Sequence, residues 1–251
     1  MAVDTQTLII LGISMAGPIL GSLAGVSFRP KEKLLLAMLS FAGGTMLAIS
    51  FLQLIPESIA MCGPVPCGVG ILIGLLAMLL LGQVTPHSQT PVPQAPGPAS
   101  PARLKDASVM MIAAIFLHNF PEGIAMASAQ RMPTPGKALL IAVALATHDI
   151  PEGICTSAPY YYATGRRLRA FLLSAGTAIP VLVGFFLGRF IFRDISGFAM
   201  GIIVGAVAGL MIYVSCEELI PTSQAGESPR FSMAALMLGI LFVMALGAVQ
   251  P

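Results

Sequence analysis

Charged residues are scarce in this chain. Only 10% of its 251 residues are Asp, Glu, Lys or Arg, and 56% are hydrophobic, whereas soluble domains carry about 25% charged residues. The mean hydropathy is +0.89. This composition excludes an ordinary soluble domain, gives no reason to expect nucleic acid as a partner, and predicts a protein that crosses the lipid bilayer several times.

The two-residue alternation of membrane β-barrel strands is also missing. Continuous apolar runs rich in Leu, Ala, Gly and Met occur instead, and a helical span needs about 20 such residues. The sequence therefore predicts an all-α integral membrane protein with eight transmembrane helices. The predicted spans, numbered 1 to 8, are residues 5–27, 33–56, 66–84, 107–130, 136–158, 168–192, 196–220 and 230–249.

Basic residues lie mainly in the loops that follow odd-numbered spans. They are Arg29, Lys31, Lys33, Arg103, Lys105, Arg166, Arg167, Arg169 and Arg230. The positive-inside rule places these loops in the cytoplasm. We therefore expect a multi-pass protein of the cell membrane, in a prokaryote the inner membrane, with both termini on the extracytoplasmic side.

One long polar segment, residues 83–106, interrupts the apolar pattern. It is rich in Pro, Ser and Gln, and such a composition cannot build a packed core. We expect a disordered cytoplasmic loop between spans 3 and 4.

Two pairs of spans resemble each other. Residues 44–58 of span 2 align without a gap with residues 209–223 of span 7, and residues 16–20 align more weakly with residues 178–182. In the predicted topology the members of each pair run in opposite directions. This indicates a 3+2+3 inverted repeat, which is typical of secondary transporters with a binding site at mid-membrane. Chance similarity between apolar segments is the alternative.

Two near-identical polar motifs occur 30 residues apart, in spans 4 and 5. The first reads HNFPEG over residues 118–123, and the second reads HDIPEG over residues 148–153. On a helix, residues four apart share a face, so the His and Glu of each motif point the same way. The six polar side chains are His118, Asn119, Glu122, His148, Asp149 and Glu152.

These side chains are costly inside a membrane and by default mark a functional site. The spans offer no Lys or Arg at comparable depth, so the carboxyl groups must bind protons or a cation. Imidazole with carboxylate favours zinc, iron or another first-row divalent ion. Pro121 and Pro151 should each kink the helix and free a carbonyl group. A structural hydrogen-bonded cluster is the alternative interpretation.

The doubled motif in an eight-helix chain resembles the signature of the ZIP (Zrt/Irt-like protein) family of divalent-metal transporters, most closely its prokaryotic, GufA-like branch. The resemblance implies that residues 1–251 form a single transmembrane transporter domain with a metal centre between spans 4 and 5. It implies one ion held by His118, Glu122, His148 and Glu152. A second ion would use Asn119 and Asp149 and share the two glutamates.

Relatives of this type commonly add a Glu from span 6, in a Ser-Gly-x-x-Glu-Pro pattern. This chain reads Ser174-Ala-Gly-Thr-Ala-Ile179-Pro180, so Ile179 stands at the position of that Glu. The second ion would then lack one carboxylate.

Three further acids lie near the ends of spans. Glu57 resembles the acidic residue at the entrance of the family's pathway, while Glu217 and Glu218 are candidates for the exit. A solvated helix end, or a side chain among lipid headgroups, is the plain alternative. Cys62 and Cys67 bracket a short outer loop, where a disulfide, a thiol metal site and two free cysteines all remain open.

The sequence therefore predicts an uptake transporter that moves zinc towards the cytosol, with ferrous iron, cadmium or manganese as other candidate ions. We expect no prosthetic group and no catalytic residue. The ion and the lipid bilayer are the expected partners, and a homodimer is one option for the assembly. The alternative is an intramembrane metal-dependent hydrolase, which is disfavoured because the chain has no HExxH motif.

Overall fold

A computed structural model of the protein describes residues 5–28, 31–84, 101–129, 137–190 and 196–249. Within these ranges every regular element is helical, which confirms the all-α fold class. Among the described residues, five helical segments are long and apolar enough to cross a membrane: Thr5–Ser27, Glu32–Cys62, Leu104–Ile124, Arg167–Phe190 and Gly197–Gln224. Two shorter apolar stretches, Pro64–Leu80 and Pro229–Ala245, belong to spans 3 and 8.

Each predicted span coincides with a helical segment, and several of these segments run up to six residues beyond the predicted bounds. Spans 1 to 4 are α1 (Thr5–Ser27), α2 (Glu32–Ile49) continued by α3 (Ile55–Cys62), α4 (Pro64–Val84) and α5 (Pro101–Ala129). Spans 5 to 8 are α6 (Lys137–Thr164), α7 (Arg167–Ala175) continued by α8 (Ile179–Phe190), α9 (Gly197–Val214) continued by α10 (Ile220–Gln224), and α11 (Pro229–Val249).

The predicted loop of residues 83–106 is shorter than expected. Helix α4 runs to Val84, and α5 already begins at Pro101. Proline suits the first position of a helix, and Ala, Arg, Leu and Lys, the next four residues, are all good helix formers. The rest of the predicted loop, residues 85–100, lies outside the described residues.

The chain divides into two compact units. The first unit comprises residues 1–28, 115–161 and 165–195, and the second comprises residues 29–114, 162–164 and 196–251. Spans 1, 5 and 6 and the second half of span 4 thus belong to the first unit. Spans 2, 3, 7 and 8 belong to the second.

In the second unit, equivalent helices begin and end 165 residues apart. Helix α9 starts and stops 165 positions after α2, and α11 does so relative to α4. Their contacts follow the same offset: a Cβ on Gly74 of α4 would meet the carbonyl of Ala206, and a Cβ on Gly239 of α11 would meet that of Phe41. Glycine therefore lets the backbones of each helix pair touch.

Spans 2 and 7 each contain a π-helical segment, Ser50–Leu54 and Ser215–Leu219. In each, the N–H of the residue after the segment donates to the carbonyl five residues back, as Ile55 does to Ser50. A proline follows directly, and because it has no N–H, the helix widens by one residue where the regular ladder cannot continue.

The first unit is built on close contacts of α1 with α6 and of α8 with α5. A Cβ on Gly21 of α1 would meet the Ile150 carbonyl, and a Cβ on Gly184 of α8 would meet the Phe120 carbonyl. An apolar cluster fills one part of the unit. Its buried members are Ile10, Leu11, Met126, Ala127, Ala142, Val181 and Phe185.

The four cysteines carry free thiols. Cys67 is buried and Cys62 is half-buried, and the Cys62 thiol donates to the Ser58 carbonyl at 3.2 Å. Of the three options for this pair, the structure shows no disulfide.

We expect Gly74→Ala to lower the thermal stability of the detergent-solubilised protein, because the new methyl group would collide with the Ala206 carbonyl. Overpacking of this kind costs about 1–3 kcal/mol. Gly68→Ala, on the same helix, is the matched control because no atom lies within 4 Å of its Cβ position. Equal losses of unfolding temperature in the two variants would contradict the close contact.

Candidate metal centre

Both polar motifs lie inside long helices of the first unit. Residues 118–123 belong to α5 and residues 148–153 to α6, and each helix continues through its motif proline, Pro121 or Pro151. A proline cannot donate to the carbonyl four residues back. The freed carbonyls belong to Leu117 and Thr147, directly before the two histidines.

His118 and Glu122 share one helix face, as predicted. The His118 Nε2 atom lies 2.9 Å from Glu122 Oε1, and the two side chains are 3% and 11% exposed. An imidazole and a carboxylate thus meet in a segment that is apolar enough to cross a membrane. A divalent transition metal prefers this pair of donors.

The remaining polar side chains of the motifs that the structure describes are also buried. Asn119 is 0% exposed, and Asp149 and Glu152 are each 2% exposed. A buried carboxylate needs a hydrogen-bond donor, a proton or a cation to offset its lost hydration.

The structure places the backbone of His148 in α6, but its side chain lies outside the described residues. Among the described residues, no group of three or more His, Cys, Asp or Glu side chains is arranged to hold a metal ion. The four-residue ligand set, which needs His148, therefore stays a prediction.

Asn119 and Asp149 occupy equivalent positions but face different helices. A Cβ on Gly17 of α1 would come within 2.8 Å of the Asp149 Cβ, so Asp149 lies against span 1. Asn119 lies against span 6, where its Nδ2 donates to the Thr177 carbonyl at 2.6 Å.

The Thr177 carbonyl is available because span 6 is broken there. Residues Gly176–Ala178 form a 3-10 turn between α7 and α8, and Pro180 has no N–H for the carbonyls three and four residues before it. Ile179 donates to the Gly176 carbonyl, and Asn119 donates to that of Thr177. Pro180 signals the break in the sequence, but nothing in the sequence identifies Asn119 as the residue that fills it.

Ile179, which the family resemblance predicts at the position of a Glu, is 54% exposed. Span 6 contributes two buried hydroxyl groups close to the break in its helix. Ser174 and Thr177 are 0% and 2% exposed.

The glycine that ends each motif is a point of helix contact. A Cβ on Gly153 would lie 2.7 Å from the Pro18 carbonyl of α1, and a Cβ on Gly123 would meet the Val181 carbonyl of α8. Any larger side chain would push the neighbouring helix away from the polar residues. The motif therefore combines candidate ligands with the close packing that positions them.

The three peripheral acids belong to the second unit. Glu57 in α3 is exposed, Glu217 is exposed and Glu218 is half-buried. The last two lie in the π-helical segment of span 7.

Comparison with known proteins decides the family. A family model described as ZIP Zinc transporter matches residues 87–247. The chain belongs to the ZIP family. The zinc transporter ZupT of Chlorobium luteolum is 31% identical over 247 residues, which cover 90% of this chain and 91% of the relative. The ZupT proteins of Chlorobium chlorochromatii and of an Escherichia coli O127:H6 strain are each 35% identical, and the matches cover 88% and 86% of both chains.

Membership in the ZIP family confirms the resemblance predicted from the doubled motif. It also identifies a multi-pass membrane transporter and not an enzyme. The alternative of an intramembrane hydrolase is therefore not supported.

Proposed function

We propose that this protein transports zinc across the cell membrane towards the cytosol through a site at mid-membrane. The observation that carries this proposal is the buried contact between His118 and Glu122 in a membrane-spanning helix. The relatives named above are described as zinc transporters. Ferrous iron, cadmium and manganese are further candidate substrates, because similar donors bind them.

The first ion would be held by the two histidines and two glutamates. Zinc commonly takes four nitrogen, oxygen or sulfur ligands in a tetrahedral arrangement, and two His–Glu pairs supply this number. Burial of Glu122 and Glu152 supports the assignment. A divalent ion would offset both carboxylates in a region where water cannot.

A second ion would use Asn119 and Asp149 and share the two glutamates. This site has a neutral amide and no carboxylate from span 6, so we propose that it is the weaker of the two. Glu57 is proposed at the entrance, and Glu217 and Glu218 at the exit. Their positions in exposed or half-buried parts of spans 2 and 7 support these roles.

The proposed architecture is a 3+2+3 inverted repeat within one transporter domain, with both termini outside. The constant offset of 165 residues between the helices of the second unit supports it. In the first unit, Gly21 and Gly25 contact residues around Ile150 and Ile154, and Gly184 and Gly188 contact residues around Phe120 and Ile124. The two glycines of α8 lie 163 positions after those of α1. The residues that they contact in α5 lie 30 positions before those contacted in α6. A homodimer is our proposal for the assembly.

The histidine variants test the proposed function directly. We expect His118→Ala/His148→Ala to reduce uptake of radioactive zinc into proteoliposomes to the level of empty vesicles, because both nitrogen ligands are gone. His87→Ala is the matched control, since His87 is the only other histidine in the sequence and lies outside the predicted spans. Unchanged uptake in the double variant would rule out the site.

Ile179→Glu tests whether the second ion is limited by a missing carboxylate. Because an acidic side chain in a membrane span is costly, the unfolding temperature of the detergent-purified variant is measured first. For the folded variant we expect more zinc bound per protein at saturation in equilibrium dialysis. Val183→Glu is the control, since Val183 lies one helical turn further along α8 and is also exposed. The same stoichiometry in Ile179→Glu and the unmodified protein would contradict the explanation.

A further inference from the structure

Span 6 is connected to both motif helices by buried hydrogen bonds. All of these bonds lie within the first unit, and they involve the segment from Ser174 to Thr177. We infer that Ser174 and Thr177 are positioning residues that orient the proposed zinc site, an inference that rests on the function proposed above. Span 6 would thus act on the site through hydroxyl and carbonyl groups, without an acidic ligand of its own.

The first connection runs from Thr177 to α5. The Thr177 carbonyl accepts from Asn119 Nδ2 at 2.6 Å. The nitrogen of the Asn119 amide therefore faces span 6. The other end, Oδ1, is buried and has no hydrogen-bond partner among the described residues. A buried amide oxygen normally has a partner, so this oxygen is oriented for a ligand that donates or coordinates.

The second connection runs from Ser174 to α6 and α1. The Ser174 hydroxyl donates to the Gly153 carbonyl at 3.1 Å and lies 2.6 Å from the Ser22 hydroxyl and within hydrogen-bond distance of the Thr156 hydroxyl. Gly153 directly follows Glu152, so this contact lies beside a candidate ligand.

The two connections are themselves joined. The Thr177 hydroxyl donates to the Ser174 carbonyl at 2.7 Å. One continuous polar chain therefore links Asn119 of the first motif, through span 6, to Gly153 of the second motif. We call this chain the span-6 brace.

The brace can be cut without leaving a buried hydroxyl group unpaired. Without Ser174, the single proton of the Ser22 hydroxyl can turn to the Pro18 carbonyl at 2.6 Å, and that of Thr156 to the Glu152 carbonyl at 3.0 Å. Both keep these acceptors in their own helices when the Ser174 hydroxyl is removed. Ser174→Ala should therefore cost little stability, while it removes the links between helices.

The first experiment measures zinc binding to full-length, detergent-purified Ser174→Ala by calorimetry with zinc alone. Groups that orient metal ligands typically change affinity by about 10–100-fold, and we expect a dissociation constant about tenfold weaker. Bound cobalt(II) should also show a changed visible absorption spectrum at saturation, which a loss of stability alone would not produce. Wild-type affinity with an unchanged cobalt spectrum would overturn the role of Ser174.

Ser108→Ala is the matched control, because Ser108 is equally buried and donates to a carbonyl of its own helix, that of Leu104, at 2.6 Å. It should bind zinc as the unmodified protein does. Thr156→Val and Thr156→Ser provide a second pair in case Ser174→Ala does not fold. Only Thr156→Val, which lacks the hydroxyl, should weaken zinc binding. Equal zinc affinities of Thr156→Val and Thr156→Ser would overturn the role of the hydrogen bond between Thr156 and Ser174.

The second experiment replaces Asn119 by Asp, which adds a charge that would favour a cation but cannot donate to the Thr177 carbonyl when ionised. We expect weaker zinc binding than in the unmodified protein, at a level similar to Asn119→Ala. Equal or tighter binding would overturn the role of Thr177. If binding survives in His118→Ala/His148→Ala, the proposed function fails. If zinc binding is lost in the double histidine variant but unchanged in Ser174→Ala, Thr156→Val and Asn119→Asp, only the proposed role of the span-6 brace fails.

Discussion

Carboxylate groups inside an apolar helix bundle must be neutralised, and the rest of this structure depends on that constraint. Glu122, Asp149 and Glu152 are buried in helices of a membrane protein. A lone buried charge is far too costly to persist, so each needs protons, hydrogen-bond donors or a cation. A transporter can use this cost, because an ion that enters such a site gains from the carboxylates and leaves again when water returns.

Close helix packing makes the site geometrically possible. In both units, glycines bring backbones into direct contact at equivalent positions, as Gly153 does at Pro18 and Gly123 at Val181. Such contacts leave little freedom for the helices to slide or separate. The polar groups beside them, including Asn119 and the hydroxyl of Ser174, are therefore held in defined positions.

The sequence predicts the all-α fold class and the family correctly, because hydropathy and the doubled motif are local signals. It also places His118 and Glu122 on one face, since helical spacing decides this. The alignment of residues 16–20 with residues 178–182 has an offset of 162, one residue less than the offset of 163 between the contacting glycines of spans 1 and 6. The pairing of Asn119 with Thr177 could not be predicted. Pro180 indicates a break in the helix of span 6, but the sequence does not indicate which helix packs against it.

We propose that the two His–Glu pairs hold one shared divalent ion. The most direct measurement is diffraction at the zinc absorption edge from crystals of the full chain grown with zinc. We expect an anomalous peak about 2.0–2.2 Å from nitrogen or oxygen atoms of His118, Glu122, His148 and Glu152. A bound zinc located elsewhere, with these four side chains in contact only with protein, would contradict it.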